Sequence, residues 1–377
     1  MVETTRKRII FIDLMRAFAV FMMVQGHTID SFLSAEFKSP DSGIFAVWNY
    51  IRGFTAPIFM FSAGVAFTYL LRLEGNSFNN NPRVKKGLVR FITLLIIAYL
   101  LRYPTYKIFD FSEVTIAGWT SFFTVDTLHL IAFGLLFIII FAYLSEKLKI
   151  KEIYLFIGGA VLFLIAQIFS EPVRWTDFLH PFFANYLYSG GGSFFPLFPW
   201  VGYLLIGAAL GTTIASNPDI VRDPKFGVKL IVTAILVFGF GKTLEQIKFA
   251  LNWGEPLWVN ATYWFTLRIG VVLGLNGVMC LLAHRLNNIP KVVKLFGRYS
   301  LVIYVVHIIM LYGDTWFPGF NELYYQHFGI GATLILTVIM LSLMGGMVLM
   351  LDYIKTRKKQ KKIIAQSANL NIELSEK

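Results

Sequence analysis

Residues 9–30 read IIFIDLMRAFAVFMMVQGHTID, an apolar run long enough to cross a lipid bilayer. At about 1.5 Å of rise per residue, a helix of this length covers about 30 Å of hydrocarbon. Comparable runs recur along the whole chain, so the sequence predicts an all-α integral membrane protein with a single bundle of about ten transmembrane helices. The predicted spans are 9–30, 47–71, 88–103, 122–144, 152–169, 194–215, 228–241, 260–283, 296–312 and 328–353.

The seventh of these spans is the weakest. Its apolar core is short and contains glycine, so we expect residues 228–241 to be tilted, broken or extended through Lys242.

Composition supports a membrane protein and excludes a nucleic-acid-binding one. Of the 377 residues, 56% are hydrophobic and 15% are charged, and the mean hydropathy is +0.64. The net charge of +12 would suit a nucleic-acid partner, but the charges lie between the apolar runs rather than on one soluble surface. We therefore expect the lipid bilayer as a partner and no nucleic acid.

Lys and Arg are distributed unequally between alternate loops. With residues 1–8 placed in the cytoplasm, segments on that side hold 25 of the 34 Lys and Arg residues, whereas the opposite loops hold five. Cytoplasmic loops carry such an excess. The pattern predicts a bacterial inner (plasma) membrane protein with both termini cytoplasmic. A transmembrane domain of residues 1–353 is followed by a basic cytoplasmic tail, 354–377, near anionic headgroups.

The chain has one cysteine, Cys280, and it lies inside an apolar run. A single cysteine excludes a disulfide within one chain and a cysteine metal site. We predict no bound metal.

Three ionisable side chains lie within the first span. Arg16 and His27 are eleven residues apart, which places them on one helix face about 16 Å apart along the axis. Asp13, three residues before Arg16, is in position to pair with it. Charges inside a membrane are costly, so this stripe is a candidate functional site. The alternative for His27 is an interfacial histidine at a helix end.

Further polar groups lie in later spans. Asp126 is one turn from His129 in the fourth span and is in position to orient its imidazole or act as its proton partner. The alternative for these two residues is a polar pair at the outer interface. His307 lies deep in the ninth span, where a packing role is the alternative, and Arg268 in the eighth span requires an anion or a wet cavity. Arg52, at the start of the second span, either serves the site or snorkels to the headgroups. Arg102, at the end of the third span, is expected to snorkel.

Several stretches resemble the transmembrane acyltransferase superfamily, which joins the acyltransferase-3 membrane proteins to the heparan-alpha-glucosaminide N-acetyltransferase group. The resemblance runs in order from about residue 8 to 353. Two of the segments are closer to the heparan-alpha-glucosaminide N-acetyltransferase group, namely the proline- and glycine-rich sixth span and RGFTAPIF. The motifs are Asp13 and Arg16 with His27, RGFTAPIFMFSAGVAF (52–67), SFFPLFPWVGYLLIGAALG (193–211) and GRYSLVIYVVH (297–307).

The resemblance implies an acyl-coenzyme A donor, usually acetyl-coenzyme A, and an amine or hydroxyl acceptor on an extracytoplasmic saccharide. By position in the motif, it implies that His27 is the catalytic histidine and that Arg16 is its motif partner. A near-neutral imidazole is suited to deprotonate the attacking acceptor, so we expect His27 to act as general base, and an acyl-histidine intermediate stays open. Asp126 with His129 is the next catalytic candidate.

The remaining candidate residues are assigned to the two substrates. Arg16 with Asp13 is expected to organise the donor path. Basic groups on predicted cytoplasmic loops suit the nucleotide phosphates, namely Arg285, Lys291 and Arg298. The acceptor side is assigned to Arg52, Arg268 and His307.

Two other classes of protein compete with the acyltransferase. A secondary transporter would use the intramembrane Asp, Arg and His residues as a proton or substrate path, but it predicts inverted repeats, and the sequence contains no clear repeat. A non-catalytic scaffold or export partner would leave the polar stripes unexplained. A homodimer is kept open, and neither the acceptor's identity nor N- against O-acylation follows from the sequence.

Overall fold

The computed structural model describes residues 9–39, 43–73, 77–286 and 289–375, with side chains as far as residue 361. The basic segment 1–8 and the last two residues of the predicted tail lie outside these ranges. The helices are α1 (Ile10–Phe32), α2 (Gly43–Arg52), α3 (Thr55–Arg72), α4 (Pro82–Leu101), α5 (Ile116–Phe123), α6 (Thr127–Leu148), α7 (Glu152–Ser170), α8 (Pro181–Ala184), α9 (Leu197–Ser216), α10 (Pro224–Ala250), α11 (Leu257–Arg285), α12 (Lys291–Arg298), α13 (Ser300–Tyr312), α14 (Asn321–Tyr324) and α15 (Ile330–Ser375).

The predicted all-α membrane bundle is confirmed. Within the described ranges, eight stretches of helix are long and apolar enough to cross a membrane, and the bent pair α12 and α13 makes a ninth if it counts as one span. Each of the ten predicted spans overlaps helix, although 47–71 and 122–144 each extend over parts of two helices. The third predicted span is α4, which has 20 residues but carries Arg83, Lys85, Lys86 and Arg90 in its first half. Those cations distinguish α4 from the apolar helices and explain why the number of candidate spans is below ten.

Two predicted spans differ in detail from the structure. The seventh is one continuous helix, α10, of 27 residues, so extension through Lys242 is the correct alternative. The ninth is broken, because α12 and α13 meet at an angle of 80°. The break follows Gly297, where an added Cβ would lie 3.1 Å from the Asp13 carbonyl oxygen. The missing side chain lets α12 approach α1 closely.

Helix α1 lies inside the bundle. It packs against α3, α11, α12, α13 and α15, and Met15, Ala19 and Val20 on it are fully buried. Its polar side chains therefore point into protein or into cavities between helices, as expected of ionisable groups within a membrane.

Helices α3 and α9 pack at short range through small residues. A Cβ added at Gly64 would fall on the Leu204 carbonyl oxygen, and one added at Gly207 would fall on the Phe61 carbonyl oxygen. Glycine at these positions lets the two backbones touch. This contact fixes α3, which forms a wall of both cavities described below.

The last helix runs from the apolar span into the basic segment. Helix α15 continues without interruption to Ser375. The division of the chain into a transmembrane domain, 1–353, and a basic cytoplasmic tail, 354–377, stays a prediction.

Candidate functional site

Two cavities lie along α1. The larger, which we call the histidine cavity, has a volume of about 840 Å³ and is lined by His27 near the C-terminal end of α1. The smaller, the basic cavity, has a volume of about 210 Å³ and is lined by Arg16 near the other end of α1. The two ends of the polar stripe predicted for the first span therefore line two different cavities.

His27 is held by the end of α13. Its Nδ1 lies 3.1 Å from the Tyr312 hydroxyl oxygen, and both residues line the histidine cavity. The His27 ring also lies beside the ring of His307, with centroids 5.4 Å apart. Because Tyr312 engages Nδ1, Nε2 is the ring nitrogen left for a substrate.

His307 is fully buried on α13. Its Nδ1 lies 2.7 Å from the Ile303 carbonyl oxygen, which accepts only, so Nδ1 must carry the proton and Nε2 a lone pair. Nε2 is buried and has no hydrogen-bond partner among the described residues. His307, for which the sequence allowed a packing role, thus has an unpartnered proton acceptor in the ring next to His27.

A bidentate ion pair closes one side of the histidine cavity. Arg52 Nη1 and Nη2 donate to the two carboxylate oxygens of Asp30 at 3.1 and 3.0 Å. The guanidinium also lies over the Trp48 ring, 5.4 Å from its centroid. Arg52 therefore belongs to the cavity wall rather than snorkelling alone, and Asp30, one turn beyond His27, is a site residue that the sequence reasoning missed.

A second ion pair also lines the histidine cavity. Arg102 Nε donates to Asp126 Oδ2 at 3.2 Å, and both residues line the histidine cavity. The expectation that Arg102 only snorkels was wrong, because α4 ends against the start of α6 and brings its guanidinium to this carboxylate.

Asp126 is the N-cap of α6 and contacts His129 directly. Its Oδ1 lies 3.0 Å from His129 Nδ1 and accepts from the Leu128 backbone N–H. A carboxylate oxygen at this distance requires a proton on Nδ1, so the Asp126 backbone N–H, 3.3 Å from the same nitrogen, does not donate a hydrogen bond to it. His129 is fully buried and does not line either cavity, so it orients Asp126 from behind.

The basic cavity collects cations from two helices. Arg83, Lys86 and Arg90 follow one another at three- and four-residue spacing on α4, and they line this cavity with Arg16. Arg16 Nη2 donates to the Ser300 hydroxyl oxygen at 2.9 Å, where α12 ends and α13 begins. The described lining includes no carboxylate. Such a pocket suits a multiply charged anion.

Two aromatic side chains line both cavities. They are Phe59 on α3 and Tyr304 on α13, and no other described residue is shared between the two linings. We call this pair the aromatic partition. It separates the cations of one cavity from His27 in the other.

Other predicted site residues lie elsewhere. Lys291 and Arg298 form salt bridges to Asp352 on α15, at 2.8 and 3.1 Å. Arg268 lies over the rings of Trp200 and Trp264, with its guanidinium carbon 5.1 and 5.5 Å from their centroids.

These three residues and Arg285 line neither cavity, and their predicted roles stay predictions. The pairing of Asp13 with Arg16 likewise stays a prediction. In the part of the chain that the structure describes, no group of three His, Cys, Asp or Glu side chains is arranged to hold a metal ion.

The cations of α4 were missed as ligands because they were counted only as evidence for topology. The signal was present in PRVKKGLVR (82–90), where the spacing of Arg83, Lys86 and Arg90 places them on one helix face. Tyr312 and Asp30 carry no comparable signal, because their contacts depend on tertiary packing.

Comparison with known proteins gives one match. A family model described as heparan-alpha-glucosaminide N-acetyltransferase, catalytic, matches residues 8–242, which is more than half of the chain. Neither the curated proteins nor the solved structures include a significant match.

Proposed function

The chain belongs to the heparan-alpha-glucosaminide N-acetyltransferase family, and from this premise we propose that it transfers an acetyl group across the membrane, from cytosolic acetyl-coenzyme A to an extracytoplasmic saccharide amine or hydroxyl. The membership supports an acetyltransferase embedded in the membrane. The donor, the acceptor and the direction of transfer are the content of the proposal.

One observation carries the proposal: a cation-lined cavity and a histidine-lined cavity meet at a partition of two side chains. Arg16 and His27 mark the two cavities on one helix, about 16 Å apart along its axis. A donor with an anionic head and a long neutral arm fits this arrangement, because its two ends require opposite surroundings.

The donor's phosphates bind in the basic cavity in this proposal. Arg16, Arg83, Lys86 and Arg90 offer guanidinium and ammonium donors, which make the strongest hydrogen bonds to phosphate oxygens. The neutral arm then runs past Phe59 and Tyr304 and presents the thioester carbonyl to His27. In this proposal the cations of α4 take the phosphate role for which the sequence suggested Arg285, Lys291 and Arg298.

His27 is the general base of the proposed reaction. We propose the tautomer in which His27 Nδ1 lies 3.1 Å from the Tyr312 hydroxyl oxygen and donates its proton to it, so that Nε2 carries the lone pair that removes a proton from the acceptor. The acceptor atom forms a bond to the acetyl carbon, the carbon–sulfur bond breaks, and the coenzyme leaves as a thiolate. Direct transfer requires the acceptor and the thioester in the histidine cavity together, and its volume of about 840 Å³ leaves room for both.

The acceptor site is formed by paired charges and aromatic rings. The Asp30–Arg52 and Asp126–Arg102 pairs offer fixed carboxylate and guanidinium groups to sugar hydroxyls or an amine. Phe194 and Tyr103 line the same cavity and supply apolar faces for a sugar ring.

The direction of transfer rests on the distribution of charge. The basic cavity lies at the end of α1 where the predicted cytoplasmic segments are rich in Lys and Arg. We therefore place the basic cavity on the cytoplasmic side, with both chain termini, and the histidine cavity toward the outside of a bacterial inner membrane.

The test uses purified protein in detergent with labelled acetyl-coenzyme A and glucosamine. We expect an N-acetylated product by mass spectrometry, and calorimetry should detect coenzyme A binding that weakens with salt, because the phosphate contacts are screened. Folded protein that neither binds coenzyme A nor acetylates any of a panel of amino sugars and hydroxyl sugars would contradict the proposal. Sugar uptake into proteoliposomes by that protein would favour the transporter.

A further inference from the structure

His307 is a buried polar group that the proposed reaction leaves unused. It is fully buried, its Nδ1 proton is committed to the Ile303 carbonyl oxygen, and its Nε2 has no partner among the described residues. A buried acceptor without a hydrogen bond is costly, so its presence calls for an explanation. A packing role alone would be filled better by an apolar side chain.

The nearest aromatic neighbours of the His307 ring are two residues of the site. The rings of His27 and Tyr304 lie with centroids 5.4 and 5.8 Å from it. The other nitrogen of His27, Nδ1, is engaged by Tyr312. Protonation of His27 therefore creates a new N–H at its Nε2. The adjacent ring, His307, carries an unpartnered lone pair on its own Nε2.

We propose that His307 is a positioning residue that accepts a hydrogen bond from His27 once His27 has taken the acceptor's proton. This inference rests on the proposed function. While the acceptor nitrogen or oxygen bonds to the acetyl carbon, its proton moves to His27 Nε2. The acylated atom is then a poor hydrogen-bond acceptor, so the Nε2–H of the imidazolium turns from that atom toward His307 Nε2 in the adjacent ring. The proton stays on His27 until the departing thiolate takes it up.

The fixed tautomer is what suits His307 to this role. Since Nδ1 is protonated, Nε2 cannot also carry a proton in the neutral ring, so it does not compete with His27 as a donor. A hydrogen bond to a charged group is stronger than one between neutral groups, and the gain appears only after His27 is protonated. The interaction therefore stabilises protonated His27, and the transition state that leads to it, more than the neutral ground state.

The experiment compares two substitutions that differ in hydrogen bonding. His307→Leu removes the acceptor and keeps an apolar side chain in a buried site, whereas the amide oxygen of His307→Gln reaches the position of Nε2. We expect His307→Leu to lower kcat about 10- to 100-fold with the KM of both substrates within about twofold. His307→Gln should recover part of that loss.

A packing role predicts the opposite order. Leucine would then be tolerated as well as histidine, and glutamine would be the worse variant because it adds an unpaired amide. Equal kcat for wild type and His307→Leu, or a lower kcat for His307→Gln than for His307→Leu, would overturn the inference. Thermal melting with and without coenzyme A verifies that each variant is folded, and His327→Leu, at an exposed histidine, is the matched control.

The two proposals fail in different ways. If the wild-type protein does not acetylate any acceptor, the proposed function itself fails. If the wild type is active and His307→Leu retains its full kcat, only the role of His307 fails.

Discussion

The two cavities share the aromatic partition but differ in the charged residues that line them. In the histidine cavity, Arg52 is paired with Asp30 and Arg102 with Asp126. The described lining of the basic cavity has four cations and no carboxylate. Paired charges fix geometry and create little net field, whereas clustered cations attract anions. This difference suits the proposed function, in which one cavity orients a neutral reacting centre and the other binds an anionic head group.

The largest expected effect concerns the reacting centre. His27→Ala should lower kcat by about 10² to 10⁴ and leave the Kd for coenzyme A nearly unchanged, because the base acts in the cavity away from the phosphates. Steady-state kinetics and calorimetry on the same preparation separate the two quantities. A variant that binds donor and turns over at the wild-type rate would place the base elsewhere, with Asp126 and His129 the next candidates.

The second effect should appear in the other cavity. Arg83→Ala and Lys86→Ala should each raise the Kd for coenzyme A by about tenfold, since a hydrogen bond to a charged group contributes about 1.5–3 kcal/mol and both side chains are partly hydrated. Calorimetry at two salt concentrations measures the change.

Lys291→Ala is the matched control for this prediction. Lys291 is also a cation near the same end of the bundle, but it is bonded to Asp352 and does not line the cavity. An equal loss of affinity in Lys291→Ala would mean that the general charge of this surface, and not the cavity, binds the donor.

The third effect concerns the partition. Phe59→Ala should join the two cavities and raise several-fold the hydrolysis of acetyl-coenzyme A in the absence of acceptor, because water from the basic cavity then also reaches the thioester. Phe67 lines the basic cavity but not the histidine cavity, so Phe67→Ala is the control. Unchanged hydrolysis in a folded Phe59→Ala variant would show that the partition does not protect the thioester.

The smallest effect should fall on acceptor binding. Asp30→Asn leaves Arg52 without its carboxylate partner and should raise the KM for the acceptor about two- to fivefold, because this pair is partly exposed to the cavity. The Kd for coenzyme A should not change. A change in the Kd for coenzyme A with no change in the KM for the acceptor would mean that Arg52 serves the donor and not the acceptor.

The sequence predicted the membrane helices well because apolar length is a local property. The first span was expected at 9–30 and is Ile10–Phe32. The bend between α12 and α13 was not predictable in the same way, because no proline marks it and the contact of Gly297 with α1 is tertiary. Helix α10 was underestimated because glycines interrupt its hydropathy within a continuous helix.

Site residues were predictable within one helix and less so between helices. Helical spacing placed Arg16 and His27 on one face, and the contact of Asp126 with His129 was expected from their spacing. The approach of His307 and Tyr312 to His27 joins residues more than 270 positions apart, which periodicity does not report. The pairing of Lys291 and Arg298 with Asp352 likewise depends on the tertiary packing of α12 against α15.

The most direct test of transfer across the membrane uses proteoliposomes in which the orientation of the protein is known from cleavage of a tag on its C-terminal tail. Labelled acetyl-coenzyme A is supplied on the side of the tail, and glucosamine is enclosed on the opposite side. The account predicts acetylated sugar on the glucosamine side only, with none in vesicles that carry His27→Ala. Product formed only when donor and acceptor share one side would contradict it.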